Sequence, residues 1–329
     1  MSTTRRRVLS TLLGVAVTAI VARWLLSDEV VAAFAASLDD ARPWHLAAAL
    51  ALVPVIQYLR AWRFALLQTG AFAPPDWRMC DVTARLMLFN FVLPFKLGEL
   101  SFPVMLRRAF GTPFVQGAGI LILARLLDAA VVGAVLLLSA AALLDPATLG
   151  WSRPALVAAG LAALAAPLLG TALLAAWRPA VRPPRLAVLL DSLLLGFDML
   201  RATPQRLLAL ALSCGVWGTH FVVGWLAASA MADGLRPLAV VMAGAASYLA
   251  FALPVPTVAG LGPPQAAWAW ALSLTGVPWG PAVVTGLVCY GVLIVGAVAL
   301  GLLSFVLRPA AALLAAGRRR RARGAAAPS

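Results

Sequence analysis

The chain of 329 residues is 63% hydrophobic and only 12% charged, with a mean hydropathy of +0.94. A soluble domain carries about twice that share of charge, so the composition excludes a water-soluble fold and implies an integral membrane protein. The formal net charge of +14 does not point to nucleic acid, because the arginines stand in short runs beside apolar stretches; they read as a topology signal and as attraction to anionic headgroups.

In chain order, Arg5, Arg6 and Arg7 lead into a first span at 8–26. Arg23 and Trp24 occupy the place of a cleavage site, so this segment reads as a retained helix rather than a leader. A polar loop carrying Asp28, Glu29, Asp39 and Asp40 precedes a second span, 44–67. Two shorter apolar pieces, 79–94 and 100–110, are split by Phe95, Lys96, Leu97, Gly98 and Glu99. Long apolar helices follow at 114–144 and 154–177, then an arginine-dotted stretch, 178–206, with an amphipathic helix inside it. Another span covers 207–231. Short pieces at 238–253 and 264–277 flank a Pro- and Gly-rich run, 254–262, and the last span is 280–307. The membrane domain is therefore 1–310, followed by a basic tail, 311–329, expected to be disordered and cytoplasmic.

Length separates spans from hairpins. A crossing needs about 20 helical residues, and the pieces 100–110 and 264–277 fall short of that. Each is expected to fold back on its predecessor as a re-entrant hairpin, since broken backbone at membrane depth is tolerated only inside protein or beside a water-filled cavity. The fold expected is all-α: six full transmembrane helices plus two re-entrant hairpins. With hairpins, the basic excess (Arg5–Arg7, Arg60, Arg63, Arg78, Arg107, Arg108 and the tail) falls on one side, expected to be the cytoplasm, with both termini there. A bacterial-type inner membrane suits this pattern. The order span, hairpin, span occurs twice with opposite entry sides, the layout of an inverted repeat around a shared midplane site.

Charge inside apolar helices marks the candidate binding residues. Lys96 and Glu99 stand at the first hairpin tip, where a charge is costly; Lys96 could meet a lipid phosphate, or pair with Glu99. Asn90 and Arg85 lie in the preceding limb, and Arg85 could supply a second cation. Arg125 and Asp128 share a face of a long apolar helix at i, i+3, either as an internal ion pair or as part of a pathway. One charged cluster of Lys96, Glu99, Arg125 and Asp128 is expected. Arg60 and Arg63 share a face near a helix end and read as snorkelling to headgroups. In the second hairpin Gly260 and Gly262 free backbone groups that could bind a headgroup, and Gln265 opens the following helix. His220 reads as a polar residue satisfied within the bundle, and Trp268 as packing. Glycines 286, 291, 296 and 301 recur every five residues; that step turns about 140° and implies close packing on several sides rather than one stripe. Three separated cysteines and two histidines form no metal site or disulfide pattern, and no cofactor is expected. No HExxH or GxSxG motif occurs.

The run from Asn90 to Pro103, then Ala124-Arg125-Leu126-Leu127-Asp128, then Leu253-Pro254-Val255-Pro256 with Gly260-Leu261-Gly262, resembles the flippase-like family, also called the lysylphosphatidylglycerol synthase transmembrane-region family. The resemblance implies a bundle that moves or presents lipids or lipid-linked molecules across the inner membrane, without enzymatic activity of its own. Where family members commonly carry a Glu after Gly-Leu-Gly, this chain has Gln265, so proton coupling through that carboxylate is not expected. The partners implied are membrane lipids with anionic or phosphate-bearing headgroups, and a lipid-modifying enzyme. Two other readings stand beside this one. The chain could be a non-transporting accessory to such an enzyme. It could also be a polyprenyl-phosphate-dependent glycosyltransferase with Asp39 and Asp40 as its acids.

Overall fold

Every regular element among the described residues is a helix, as lipid demands of a chain that must satisfy its own backbone hydrogen bonds. The computed structural model describes residue 23 and residues 27–93, 97–177, 199–200, 202–252 and 261–325. The expected first span, most of the stretch 178–206, and the hairpin turns with Lys96 and Gly260 lie outside the described residues.

The elements are α1 (Asp28–Asp39), α2 (Pro43–Thr69), α3 (Trp77–Val92), α4 (Leu97–Phe110), α5 (Phe114–Leu143), α6 (Pro146–Leu149), α7 (Arg153–Trp177), α8 (Thr203–Ser229), α9 (Pro237–Ala252), α10 (Pro263–Ser273) and α11 (Trp279–Ala325). Four of them are long and apolar enough to cross a membrane: α2, α5, α8 and the Trp279–Leu307 part of α11. These coincide with four of the six expected spans, and the 25-residue α7 stands where a fifth was expected. The protein is an all-α membrane protein.

The segment carrying Asp28, Glu29 and Asp39, expected as a polar loop, is the 12-residue helix α1, α8 begins at Thr203 rather than four residues later, and three further boundaries differ from expectation. Helix α4 begins at Leu97 rather than three residues later, which puts Glu99 in its first turn, where a carboxylate suits the positive end of the helix dipole. Helix α10 ends at Ser273; Gly276 follows with φ +93°, a backbone setting that stops a helix. The basic tail, expected without structure, continues α11 as helix to Ala325, in keeping with the high helix propensity of its alanines and arginines.

The two halves repeat. Helices α2 and α8 have 27 residues each, and α3 and α9 have 16 each. The principal helix contacts also pair off. Helix α3 packs on α4 as α9 packs on α10, and α4 on α5 as α10 on α11. Across the halves, α3 packs on α11 as α9 packs on α5, and α1 on α11 as α7 on α5. The central pair, α2 and α8, runs antiparallel: the Arg42 N–H donates to the Ala230 carbonyl at 3.0 Å at one end, and Arg63 reaches Ser213 at the other. Two spans related in this way make the repeat inverted. The hairpin limbs meet where Phe91 of α3 faces Phe251 of α9, ring centroids 6.4 Å apart.

The recurring glycines of α11 serve three different neighbours. A Cβ at Gly286 would come within 2.7 Å of Trp268, one at Gly296 within 2.7 Å of Val53, and one at Gly301 within 2.5 Å of Leu88. Gly291 meets open space. At Gly98, an added Cβ would sit 2.5 Å from the Asn90 backbone nitrogen, so only glycine lets the two limbs of the first hairpin close on each other.

Candidate functional site

Asp128 is the centre of the charged cluster. It lies midway along α5 and is 0% exposed. Its Oδ1 accepts from Arg63 Nη1 at 2.6 Å and from Trp217 Nε1 at 2.8 Å; its Oδ2 accepts from Arg63 Nη2 at 3.3 Å and Arg125 Nη1 at 3.2 Å. The two-pronged Arg63 contact is the strong form of this pairing. Arg63 Nη1 also donates to Ser213 Oγ at 2.9 Å. Arg63 is 1% exposed, so it does not snorkel to headgroups; a carboxylate on another helix holds it inside. This partner was missed because it lies 65 positions away, beyond any local spacing.

Arg125 bridges two carboxylates. Besides Asp128, its Nη2 lies 2.8 Å from Glu99 Oε1, and its Nη1 donates to Tyr248 Oη at 3.4 Å. Glu99 therefore ties the second limb of the first hairpin to α5. The structure brings Glu99, Arg125 and Asp128 together as expected and adds Arg63. Lys96 lies outside the described residues.

Beside the cluster lies a cavity of about 110 Å³ between the two halves, lined among others by Arg60, Asn90, Arg125, His220, Tyr248 and Tyr290. Arg60 points into this cavity rather than out to headgroups, another correction. Its Nη1 contacts Met87 Sδ at 3.1 Å and its Nη2 lies 3.4 Å from His220 Nε2. Because a guanidinium only donates, Nε2 of His220 must accept, which leaves Nδ1 to donate to the Val216 carbonyl at 3.0 Å. Arg60 makes no ion pair among the described residues. Three arginines, 60, 63 and 125, thus face two carboxylates, 99 and 128, and the excess positive charge rests on Arg60. The Oδ1 of Asn90 is buried and has no hydrogen-bond partner among the described residues.

Other expected site residues fall elsewhere. Arg85 does not join the cluster: it pairs with Asp81 at 3.0 Å, donates to Ser304 and lies 4.1 Å from the Phe305 ring centroid. Gln265 is 1% exposed and its Oε1 accepts from the Gly262 N–H at 2.6 Å, capping the start of α10. Gly262 has φ +119°, which a side chain would strain. Glu99 and Gln265 occupy the same position, third in their hairpin limbs, so the repeat places a carboxylate in one half and its amide in the other. Trp268 packs on Gly286 and donates to Thr285 Oγ1 at 3.2 Å. Asp39 and Asp40 end α1 and are exposed. No group of three metal-ligating side chains occurs among the described residues.

A helical membrane bundle with an internal repeat, two hairpins and a buried arginine–carboxylate cluster at the junction of its halves is what this fold and site define. The chain belongs to the family described as "Lysylphosphatidylglycerol synthase TM region", which matches residues 11–301. Comparison with curated proteins and with solved structures gave no match.

Proposed function

We propose that the protein carries anionic, phosphate-bearing lipids or lipid-linked molecules between the leaflets of a bacterial-type inner membrane, catalysing no covalent change, with both termini in the cytoplasm. One observation carries this reading: Arg60 lines the cavity between the repeats with no carboxylate partner among the described residues. A partly buried cation at membrane depth without a counter-ion is costly, and a ligand phosphate would supply the missing charge. The buried Asn90 Oδ1 and the Tyr248 and Tyr290 rings offer further contacts for the same headgroup. Broken helices meeting at a cavity between inverted repeats suit a transport path. Gln265 cannot exchange a proton in its place, which argues against carboxylate coupling at that position.

The test is lipid movement in vesicles reconstituted with the purified chain, read by chemical quenching of a headgroup- or tail-labelled phosphatidylglycerol. Wild-type protein should expose inner-leaflet label to the quencher, and Arg60→Met should not, while inserting normally. Label that stays protected in wild-type vesicles would remove the transport reading and leave that of a lipid-holding accessory.

A further inference from the structure

Away from the central cavity, a groove of about 410 Å³ opens between α2, α3 and α11. Its walls include Tyr58, Trp77, Leu303 and Leu307, all of them exposed on the outside of the bundle, where a membrane protein meets acyl chains. At its floor is Gln57. This side chain is 6% exposed, and neither its Oε1 nor its Nε2 has a hydrogen-bond partner among the described residues. Gln57 sits near the middle of a 27-residue span, far from bulk water. A buried amide with both ends unpaired is rare and asks for an explanation. Polar side chains inside a transmembrane segment are costly and tend to be kept for a function.

The charged and hydroxyl groups set deepest in the groove beside Gln57, Asp81 and Ser304, are already engaged, and the exposed Tyr58 and Trp77 carry their polar atoms at its rim. Asp81 pairs with Arg85, and the Arg85 guanidinium also reaches Ser304 Oγ at 3.2 Å and the Ser304 carbonyl at 3.3 Å. At its floor the groove therefore presents the unpaired donor and acceptor of the Gln57 amide, and the carboxylate that lines it, Asp81, is paired with Arg85. We infer that it binds a membrane lipid, with an acyl chain along the Leu303–Leu307 side and an uncharged hydrogen-bonding group, ester or hydroxyl, at the Gln57 amide. A phosphate is disfavoured, because no cation is among the residues lining the groove and the Arg85 guanidinium beside it is held by Asp81. The site is separate from the Arg60 cavity and does not depend on lipid movement through it.

The experiment uses the full chain, delipidated in detergent, with melting followed as three lipids are titrated: a diester phosphatidylglycerol, its diether analogue with the same chains, and a long-chain alcohol. Wild-type protein should be stabilised by the diester or the alcohol; preference for diester over diether identifies an ester carbonyl as the group bound, and response to the alcohol identifies a hydroxyl. Gln57→Leu should melt higher than wild type without lipid, because it removes an unpaired amide, yet bind lipid about tenfold more weakly, the worth of one good hydrogen bond. Leu303→Trp, which fills the groove from its rim, should lose the same binding with an unchanged lipid-free melt. Arg60→Met should keep it, which separates this site from the central cavity. Equal binding by wild type and Gln57→Leu would overturn the inference. So would a lower lipid-free melt for Gln57→Leu, which would mean the amide is satisfied within the fold. Efficient dimer cross-linking in vesicles through Leu303→Cys would overturn it too, by assigning the groove to a second copy of the chain.

Discussion

Replacing Asp128 with Asn keeps the shape of the side chain and removes its charge. Four donor contacts converge on the two carboxylate oxygens, from Arg63 twice, Trp217 and Arg125. An Asn offers one acceptor oxygen, and its NH2 would face donors whichever way it turned. Arg125 retains Glu99, but Arg63 keeps only the neutral Ser213 hydroxyl and is 1% exposed. Stranding one member of a buried pair costs about 3–5 kcal/mol, a large part of the ~5–15 kcal/mol that holds a typical domain together. At about 2–4 °C per kcal/mol for a chain of several hundred residues, Asp128→Asn should melt roughly 10 °C below wild type, followed as the monodisperse fraction after heating in detergent. The double change Arg63→Met with Asp128→Leu should recover much of the loss, since apolar residues of similar volume can replace a buried pair at little cost. A single mutant that melts with wild type, or a double mutant no better than the single, would refute the claim that Asp128 exists to hold Arg63.

Arg60→Met should abolish lipid movement without lowering thermal stability, because it removes a cation with no carboxylate partner among the described residues and leaves no carboxylate unpaired; thermal stability and vesicle assays on one preparation check both halves. Glu99→Gln should have a smaller effect on stability, since the Glu99–Arg125 pair is about a quarter to a third exposed and Arg125 keeps Asp128; faster hydrogen exchange along 97–110 is the expected sign. Gly301→Ala should destabilise by about 1–3 kcal/mol through overpacking against Leu88, and Leu88→Ala in the same chain should relieve it. Reporters fused to each end should both signal from the cytoplasm, and a signal from the far side at either end would reverse the topology.

Much of the architecture was legible because it rests on length. Pieces too short to cross had to fold back, and the order of long and short pieces anticipated the repeat. The residue level showed no repetition, since side chains at matching positions have diverged: Glu99 against Gln265, Arg60 against His220. The cluster was legible only in its local part. The i, i+3 spacing tied Arg125 to Asp128, but nothing local linked Arg63 to Asp128 or Glu99 to Arg125, because each contact joins separate helices. Arg60 and Arg63 were read as headgroup anchors from their place near the end of α2. The antiparallel packing of α2 on α8 turns that face inward, and a single helix carries no record of which neighbour covers it. The end of α10 at Ser273 was missed for a different reason: the apolar run continues through Val277, and only the left-handed Gly276 interrupts it.

Arg60 and His220 occupy equal positions in α2 and α8 and touch each other. Points that a twofold operation carries onto one another and that also meet lie on its axis. Any motion in which the two halves trade environments leaves such a point in place, so this pair is the hub about which an exchange would turn. The ion-paired residues sit off that axis and have no charged counterparts: the residues of α11 matching Arg125 and Asp128 are Tyr290 and Leu293. Trading environments therefore cannot return the molecule to an equivalent state. If the halves did exchange, the two arrangements would differ in energy by whatever the unmatched ion pairs contribute, and the bundle would have a resting side despite the repeat of its helices.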